Sequence, residues 1–358
     1  MLTFTHRTLG QRVLFGENKS ADYLLGEVNR LEARAIMLVA EASDRERATQ
    51  LARHLPNASI YDRVVPHVPI EEAEKAREFA GVHGIDLLVS LGGGSATGLA
   101  KAVALTTGIP IVAIPTTYAG SEATNVWGIT ESARKTTGVD DRVLPVTVIY
   151  DVGLTYSLPV ELSVASGLNA LAHCVDSMWA PRTDPINQAM ATEGIRALNT
   201  GLPAVKQDPL NREGRDQALY GAYLSAVAFS SAGSGLHHKI CHVLGGAYNL
   251  PHAQTHAIVL PHVLAYLAPI APEAQARIAT AFGSPDAVTG LRRLREKLGA
   301  PAALADYGFD EAAIPEAARL ILPAVPENTP REVTVADLEQ LLRGAWAGTA
   351  SMTEGATQ

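Results

Sequence analysis

The sequence has few cysteines and no long apolar run. Its 358 residues include two cysteines, Cys174 and Cys241. Both flank histidines in apolar stretches, so we expect reduced thiols in a cytoplasmic protein and no disulfide framework. No stretch reaches the ~18 consecutive apolar residues of a membrane span, and the N-terminus lacks the basic-then-apolar pattern of a secretion signal. We therefore expect no contact with a membrane.

Positive charge is also scarce. Lys and Arg total 29 against 37 Asp and Glu, giving a formal net charge of −8. This balance argues against a nucleic-acid-binding protein, which would show a basic face, but a few local cations can still bind a small anion. Hydrophobic residues make up 47% of the chain, which is enough for a large core. The length favours two domains or one large one.

The two halves of the chain differ in their apolar pattern. In the first half, strand-length apolar runs alternate with helical patterns, which predicts βαβ units and a mostly parallel sheet. After Asp151 the spacing is helical throughout, which predicts packed helices. We therefore predict a dinucleotide-binding α/β domain over residues 1–155 and an all-α substrate and catalytic domain over residues 156–358. The predicted strands cover residues 12–15, 35–40, 60–65, 86–91, 109–115 and 146–150.

Two small-residue loops in the first half are candidates for cofactor binding. A triple glycine follows one strand and opens a helix, where backbone N–H groups and the helix N-terminus can hold a pyrophosphate. It is not the G-x-G-x-x-G fingerprint, and alone an ordinary tight turn explains it equally well. A hydroxyl-rich loop follows the next strand, and adjacent parallel strands end at the same edge. The predicted cofactor-binding residues are Gly92, Gly93, Gly94, Ser95, Thr116, Thr117, Ser121 and Glu41.

Glu41 ends the strand over residues 35–40. Its carboxylate could accept hydrogen bonds from a ribose and would repel a 2′-phosphate, which favours NADH over NADPH. A solvated loop charge is the alternative interpretation.

The segment Ser234–His262 holds six of the eleven histidines. Within it, His238 and His242 have i,i+4 spacing, which places both imidazoles on one face of a helix. A lone histidine is more often a core or capping residue, and His256 and His262 fit that interpretation better. The helical spacing instead favours an interior functional cluster around His238 and His242.

An earlier predicted helix carries Asn169 and His173 at the same spacing. Together with His238 and His252 they could converge from separate helices, as in a metal site inside a helical bundle. Asn169 is a neutral amide and a weak ligand for a transition metal, although three histidines can still hold zinc with a water. These residues leave metal binding open.

Five segments together resemble the iron-containing alcohol dehydrogenase family, most closely its maleylacetate reductase branch. The resemblance covers residues from about Thr3 to about Gly348. Metal-dependent members have Asp where this chain has Gly98 and Asn169, and both departures fit that branch. The matching segments are GGGSATGLAKA (Gly92–Ala102), IPTTYAGSEAT (Ile114–Thr124), LPVTVIYD (Leu144–Asp151), SGLNALAHCVD (Ser166–Asp176) and GLHHKICHVLGGAYNLPHA (Gly235–Ala253).

The resemblance implies a fold and a reaction. The fold is the dehydroquinate synthase-like architecture, with an α/β nucleotide-binding domain, an all-α domain, an active site in the cleft between them and commonly a homodimer. The reaction is reduction of maleylacetate, a small dicarboxylate, to 3-oxoadipate by NADH or NADPH during breakdown of aromatic compounds. By resemblance, His173, His238 and His252 match the metal-ligand histidines of metal-dependent members, and His242 matches the active-site histidine near the nicotinamide.

The chemistry of a conjugated substrate explains how a metal could be dispensable. Hydride addition to the alkene gives an enolate, which needs hydrogen-bond donors and then a proton, whereas interconversion of an alcohol and its carbonyl gains more from a Lewis acid. We therefore predict that no metal is required and that His242 is the proton donor. The predicted catalytic residues are Asn169, His173, His238, His242 and His252, and those predicted to bind substrate are Asn169, His173, His237 and His252.

Two alternatives remain open from the sequence. One is a metal-dependent dehydrogenase of alcohols or polyols on the same fold. The other is a lyase resembling dehydroquinate synthase, which would want a carboxylate ligand for its zinc, so Asn169 counts against it. We expect Lys101, in the helix after the triple glycine, to be a surface charge.

Overall fold

A computed structural model of the chain describes residues 3–131 and 134–349. The chain divides into two compact units. One spans Thr8–Leu158 and is an α/β unit, while the other contains residues 159–349 together with residues 3–7 and is helical. This confirms the predicted fold class. Among the described helices, none is both long enough and apolar enough to cross a membrane.

The α/β unit is built on a sheet of six parallel strands in the order β1-β8-β5-β4-β2-β3. The central strands β2, β4 and β5 are fully buried, as continuous apolar runs in a parallel sheet require. The third strand ends earlier than the predicted 60–65. The sheet strands are β1 (Arg12–Phe15), β2 (Ile36–Ala40), β3 (Ala58–Tyr61), β4 (Leu87–Gly92), β5 (Ile111–Pro115) and β8 (Thr147–Tyr150).

Helices cover both faces of the sheet. Strand β2 shows why its apolar run is unbroken: Met37 and Val39 belong to one core cluster, while Ile36 and Leu38 belong to another. Because successive side chains of a strand point to opposite faces, a strand between two cores must be apolar at every position. The helices of this unit are α1 (Ser20–Arg30), α2 (Arg45–Ala52), α3 (Ile70–Val82) and α4 (Gly94–Thr107).

The sequence analysis missed an antiparallel hairpin of β6 (Val126–Glu131) and β7 (Arg134–Val139). It also placed Lys101 wrongly. This lysine is 1% exposed, and its Nζ donates to the Thr124 carbonyl at 2.8 Å and to the Val126 carbonyl at 2.8 Å. Burial lowers the pKa of Lys101 to about 7, although Glu122 opposes that shift. The face of α4 that carries Lys101 packs against the start of the hairpin.

The helical unit is organised around α5, which is buried continuously from Ser163 to Ser177. A helix that is buried on all sides forms the centre of its unit. The helices of this unit are α5 (Val160–Ser177), α6 (Pro185–Gln207), α7 (Arg212–Ala232), α8 (Leu236–Tyr248), α9 (His252–Leu267), α10 (Pro272–Phe282), α11 (Ala287–Leu298), α12 (Ile314–Ile321) and α13 (Val335–Ala347).

Helices α6 and α7 approach each other through glycines. A Cβ atom added to Gly201 would lie 2.6 Å from the Gly214 carbonyl oxygen and 2.8 Å from the Ala218 amide nitrogen. Both of these atoms are backbone, so neither can rotate away. The glycine therefore sets the distance between the two helices.

We expect Gly201→Ala to lower the free energy of unfolding by about 2–3 kcal/mol, because overpacking a rigid contact forces the backbone to shift. Gly26 in α1 is the matched control, since a Cβ there meets nothing within 4 Å. Gly26→Ala should raise stability by about 0.5–1 kcal/mol through its helix preference. Urea denaturation measures both, and equal effects would contradict the packing argument.

Candidate active site

The two predicted cofactor loops are neighbours at the carboxyl edge of the sheet. Strand β4 ends at Gly92 and α4 begins at Gly94. The Thr116 amide, at the end of β5, donates to the Gly92 carbonyl at 3.1 Å. A Cβ atom on Gly93 would lie 3.0 Å from Cγ2 of Thr117, so the two loops are in contact. Gly92 has a φ of +142°, a conformation that side chains other than glycine rarely adopt.

The structure also places the three other residues predicted to bind the cofactor. Ser95 is in the first turn of α4, and Ser121 begins a short 3-10 turn after Gly120. Glu41 directly follows β2, the strand beside β4. Burial raises the pKa of Glu41, and the nearby charge of Asp44 raises it further. Asp44 is thus a second carboxylate near the glycine loop that was not predicted from the sequence, and Nη1 of Arg47 donates to it at 2.7 Å.

In the helical unit, imidazoles from α5 and α8 stack on each other. The ring centroids of His173 and His238 are 4.8 Å apart and their planes differ by 17°. Phe229 of α7 lies against both, at 4.7 Å from His173 and 4.3 Å from His238. Phe229 had no distinguishing signal in the sequence, where it reads as one more apolar helical position.

A buried carboxylate fixes the orientation of His238. Nδ1 of His238 lies 2.8 Å from Oδ2 of Asp176, and the Gly235 amide donates to the same oxygen at 2.8 Å. A Cβ atom on Gly235 would lie 2.5 Å from Oδ1 of Asp176, so this position needs glycine. With Nδ1 donating, Nε2 of His238 carries the lone pair, and it has no hydrogen-bond partner among the described residues.

The sequence analysis did not single out Asp176, although the residue closes the segment SGLNALAHCVD. Its position three residues after His173 is a signal that could have been used. A carboxylate one turn from a functional histidine on a buried helix needs a partner of its own.

A second imidazole pair, His237 and His256, lies next to His238. Nε2 of His237 and Nδ1 of His256 are 2.9 Å apart, and Sγ of Cys241 is 3.6 Å from the same His237 nitrogen. These three side chains are close enough to hold a metal ion. However, 2.9 Å between nitrogens is a hydrogen-bond distance, and we interpret the pair as neutral imidazoles sharing one proton. His237 is 1% exposed, and its Nε2 is held in this internal hydrogen bond.

The remaining predicted residues complete the cluster. His242 is half-buried one turn after His238, with ring centroids 6.0 Å apart. His252 is exposed at the start of α9, and its ring is 4.3 Å from that of His256. Asn169 is buried one turn before His173, and its Oδ1 has no hydrogen-bond partner among the described residues. The structure thus brings the histidines predicted from three separate helices into one connected group.

The group can offer neutral donors to a divalent transition metal. The free Nε2 of His238 is backed by Asp176, an arrangement that orients metal-ligating histidines in many proteins. His173 and His252 are the other imidazole donors, and Asn169 adds an amide oxygen. Since none of these donors is a carboxylate, the ligand set leaves the full charge of an ion uncompensated, which lowers its affinity.

Burial lowers the pKa of five histidines of this unit and so keeps them neutral. It lowers the pKa of His173 and His237 to about 3 and that of His262 to about 4. Burial also places the pKa of His238 and His256 well below the ordinary value. An unfolded chain binds protons at these positions from about pH 6.5 downward, whereas the folded chain does not.

We therefore expect the contribution of these neutral histidines to the free energy of unfolding to be complete above about pH 6.5. It should fall as pH falls toward 4, by up to about 1.4 kcal/mol per pH unit for each histidine. Asp176 acts in the opposite direction, because burial raises its pKa to about 6. One carboxylate only partly offsets several imidazoles. Guanidinium denaturation between neutral pH and pH 4 measures the slope, and a midpoint that stays constant over this range would contradict buried neutral histidines.

Comparison with known proteins identifies the family of this chain. The model of the iron-containing alcohol dehydrogenase family matches residues 10–152, and the model of that family's C-terminal part matches residues 163–346. The chain belongs to the iron-containing alcohol dehydrogenase family. This membership confirms the predicted architecture, and the imidazole cluster lies in the part matched by the C-terminal model.

Relatives within the family cover the whole chain. The maleylacetate reductase of Pseudomonas sp. (strain P51) is 43% identical over 349 residues, covering 97% of this chain and 99% of the relative. The crystal structure of an iron-containing alcohol dehydrogenase from Corynebacterium glutamicum ATCC 13032 is 59% identical, with a TM-score of 0.95 and 98% of each chain covered. That of maleylacetate reductase from Agrobacterium tumefaciens is 40% identical, with a TM-score of 0.93, covering 98% of this chain and 100% of that one.

Proposed function

We propose that this protein reduces maleylacetate to 3-oxoadipate with a nicotinamide cofactor. The observation that carries the proposal is the neutral donor set of Asn169, His173 and His238, in a chain 43% identical to a maleylacetate reductase over nearly its full length. An amide at position 169 lacks the charge of a carboxylate there, which would both attract a metal cation and repel an anionic substrate. The site therefore suits a dicarboxylate better than a metal-bound alkoxide.

The reaction needs a hydride, a site for an enolate and a proton. Reduced nicotinamide delivers hydride to one alkene carbon, the C=C π electrons move toward the ketone, and the enolate then takes a proton at the other carbon. Because the enolate charge is spread by conjugation, preorganised neutral hydrogen-bond donors can stabilise it. The Nδ2 amide group of Asn169 is such a donor. An imidazole can donate only from a ring nitrogen that carries a proton, which excludes Nε2 of His238 while its Nδ1 donates to Asp176.

Among the histidines, His242 is our candidate for the proton donor. It is half-buried, unlike His238, which is closed in by Asp176 and Phe229. A partly exposed imidazole can recover its proton from solvent after each turnover. We assign the His237–His256 pair to support of the α8–α9 packing.

We infer that NADH is preferred over NADPH, because Glu41 follows the strand beside the glycine loop and its carboxylate would repel a 2′-phosphate. The carboxylate of Asp44 is paired with Arg47 and adds less. The cleft location of the site and the homodimer stay predictions.

The test follows NADH oxidation with maleylacetate and with a panel of aldehydes, each with and without EDTA. We expect maleylacetate turnover that is unaffected by EDTA, little aldehyde reduction, and a higher kcat/KM with NADH than with NADPH. The second candidate, a metal-dependent alcohol dehydrogenase, is favoured by the fit of the three imidazoles to a metal ion. Stoichiometric iron or zinc together with aldehyde reduction abolished by EDTA would establish that activity instead.

The variant Asn169→Asp tests the charge argument directly. A carboxylate there supplies an anionic ligand, so we expect zinc to bind at least about tenfold more tightly, with kcat/KM for maleylacetate lowered through a raised KM. Asn169→Ser, which is neutral, is the control and should not gain zinc affinity. If Asn169→Asp binds maleylacetate as well as the unaltered protein does, charge at this position does not select the substrate.

A further inference from the structure

The helical unit contains a cavity of about 300 Å³ at the other end of α9 from the histidine cluster. His252 and His262 are ten residues apart on this helix, which corresponds to about 15 Å at 1.5 Å per residue. The cavity is therefore separate from the candidate active site. Its walls are formed by α9, α11, the loop after α11 and the residues that follow α13.

A half-buried cation without an acidic partner among the described residues lines this cavity. Arg295 donates from Nη1 to the Ala257 carbonyl and from Nη2 to the Pro301 carbonyl at 2.7 Å. Among the described residues no carboxylate lies within ion-pair distance of its guanidinium. Burial lowers the pKa of Arg295 to about 10, which still leaves it charged at neutral pH. A desolvated guanidinium with unused N–H donors is a site for an anion.

A second polar group in the cavity wall also lacks a partner. His262 is 5% exposed, and its Nδ1 has no hydrogen-bond partner among the described residues. Its ring fits because α13 has a glycine at this point: a Cβ atom on Gly344 would lie 3.0 Å from Nδ1. Apart from a rim pair of Arg292 and Glu296 at 2.9 Å, the other walls are largely apolar, with Leu264 and Leu291 among them.

We propose that this cavity binds a small organic carboxylate with a hydrophobic body, its carboxylate on Arg295 and its body between α9 and α11. The volume suits a single aromatic ring with its carboxylate, and the charge of the cavity floor is positive. The inference does not depend on the proposed reaction, because no residue of the histidine cluster lines the cavity.

Benzoate is the probe, with neutral benzamide as its isosteric control. Binding to the full chain is measured by calorimetry and by ligand-observed NMR. We expect saturable benzoate binding with a Kd of about 1 mM, the range for a ligand of this size, and at least about tenfold weaker binding of benzamide.

Three variants locate the site. Arg295→Met removes the cation, and Val288→Trp fills the mouth of the cavity at a position that is 36% exposed and should not disturb folding. Each should weaken benzoate binding about tenfold or more. Arg293→Met removes an exposed arginine from the same helix and should leave the Kd unchanged.

The outcomes are decisive in either direction. Absence of saturable benzoate binding overturns the proposal, as does benzoate binding that survives Val288→Trp, since that places the ligand elsewhere on the chain. If Arg295→Met fails to fold, Val288→Trp still decides, and Arg295→Lys should retain measurable binding through its charge. Loss of benzoate binding in His242→Ala would also overturn the proposal by placing the ligand in the histidine cluster.

Discussion

Replacing His242 with alanine is expected to lower kcat for maleylacetate by about 10²–10⁴-fold, the contribution typical of a positioned general acid. The imidazole lies one turn from His238, with ring centroids 6.0 Å apart, and it is half-buried while His173 and His238 are buried. A proton donor acts in the transition state, so we expect KM to change much less than kcat. Steady-state NADH oxidation measures both constants.

The pH profile separates proton delivery from a structural role. In the unaltered enzyme, kcat should fall at high pH as the donor loses its proton, and His242→Ala should lack that limb. Added imidazole should restore part of the lost rate if a missing proton donor is the cause. His54→Ala, at an exposed position, is the control and should retain full activity. A His242→Ala variant with near-wild-type kcat would show that another group protonates the enolate.

Replacing Asp176 with alanine is expected to lower the free energy of unfolding by about 3–5 kcal/mol. The carboxylate is fully buried and accepts from the Gly235 amide and from Nδ1 of His238, both at 2.8 Å. Its removal leaves these donors unsatisfied in the core, and each unsatisfied donor costs about 1–3 kcal/mol. Urea denaturation measures the loss. Asp22→Ala, which breaks an exposed pair with Lys19, is the control and should cost less than about 1 kcal/mol.

Asp176→Asn distinguishes the two roles of this side chain. An amide of the same shape keeps much of the packing, and its oxygen can still accept from the Gly235 amide and from Nδ1 of His238, but it carries no negative charge. We expect a smaller loss of stability than with alanine and a fall in kcat, because His238 would lose the carboxylate that makes its other ring nitrogen more basic. If activity instead tracks stability across both variants, Asp176 only supports the fold.

The sequence predicted those features that depend on local pattern. The apolar runs of β2, β4 and β5 are buried strands because a core lies on each face of the sheet, and the i,i+4 histidines are on one helix as their spacing requires. The hairpin β6–β7 was not predicted, because its residues are mixed in polarity and do not alternate regularly between apolar and polar. Local pattern also placed Lys101 on the surface, since nothing nearby in the sequence reveals which segment covers that face of α4.

The site was predicted less completely, because its decisive contacts join distant segments. The contact between Asp176 and His238 spans 62 residues, and that between Arg295 and the Ala257 carbonyl spans 38. Spacing can place two imidazoles on one helix face, but it cannot show which carboxylate meets one of them. The pairing of His237 with His256 depends on the packing of α8 on α9, which spacing within one helix does not reveal. The contact of His237 with substrate stays a prediction.

The inclusion of residues 3–7 in the helical unit has a consequence for the order of synthesis. Nδ1 of His6 lies 2.8 Å from Oδ2 of Asp184, a residue that also caps the start of α6. The partners are 178 residues apart, so residues 3–7 have no partner until the whole α/β unit and the start of α6 have been synthesised. A fragment that begins at Pro159 would lack His6, the partner of Asp184. Truncation at one position therefore cannot yield the complete helical unit, because its two parts lie on either side of the α/β unit in the sequence.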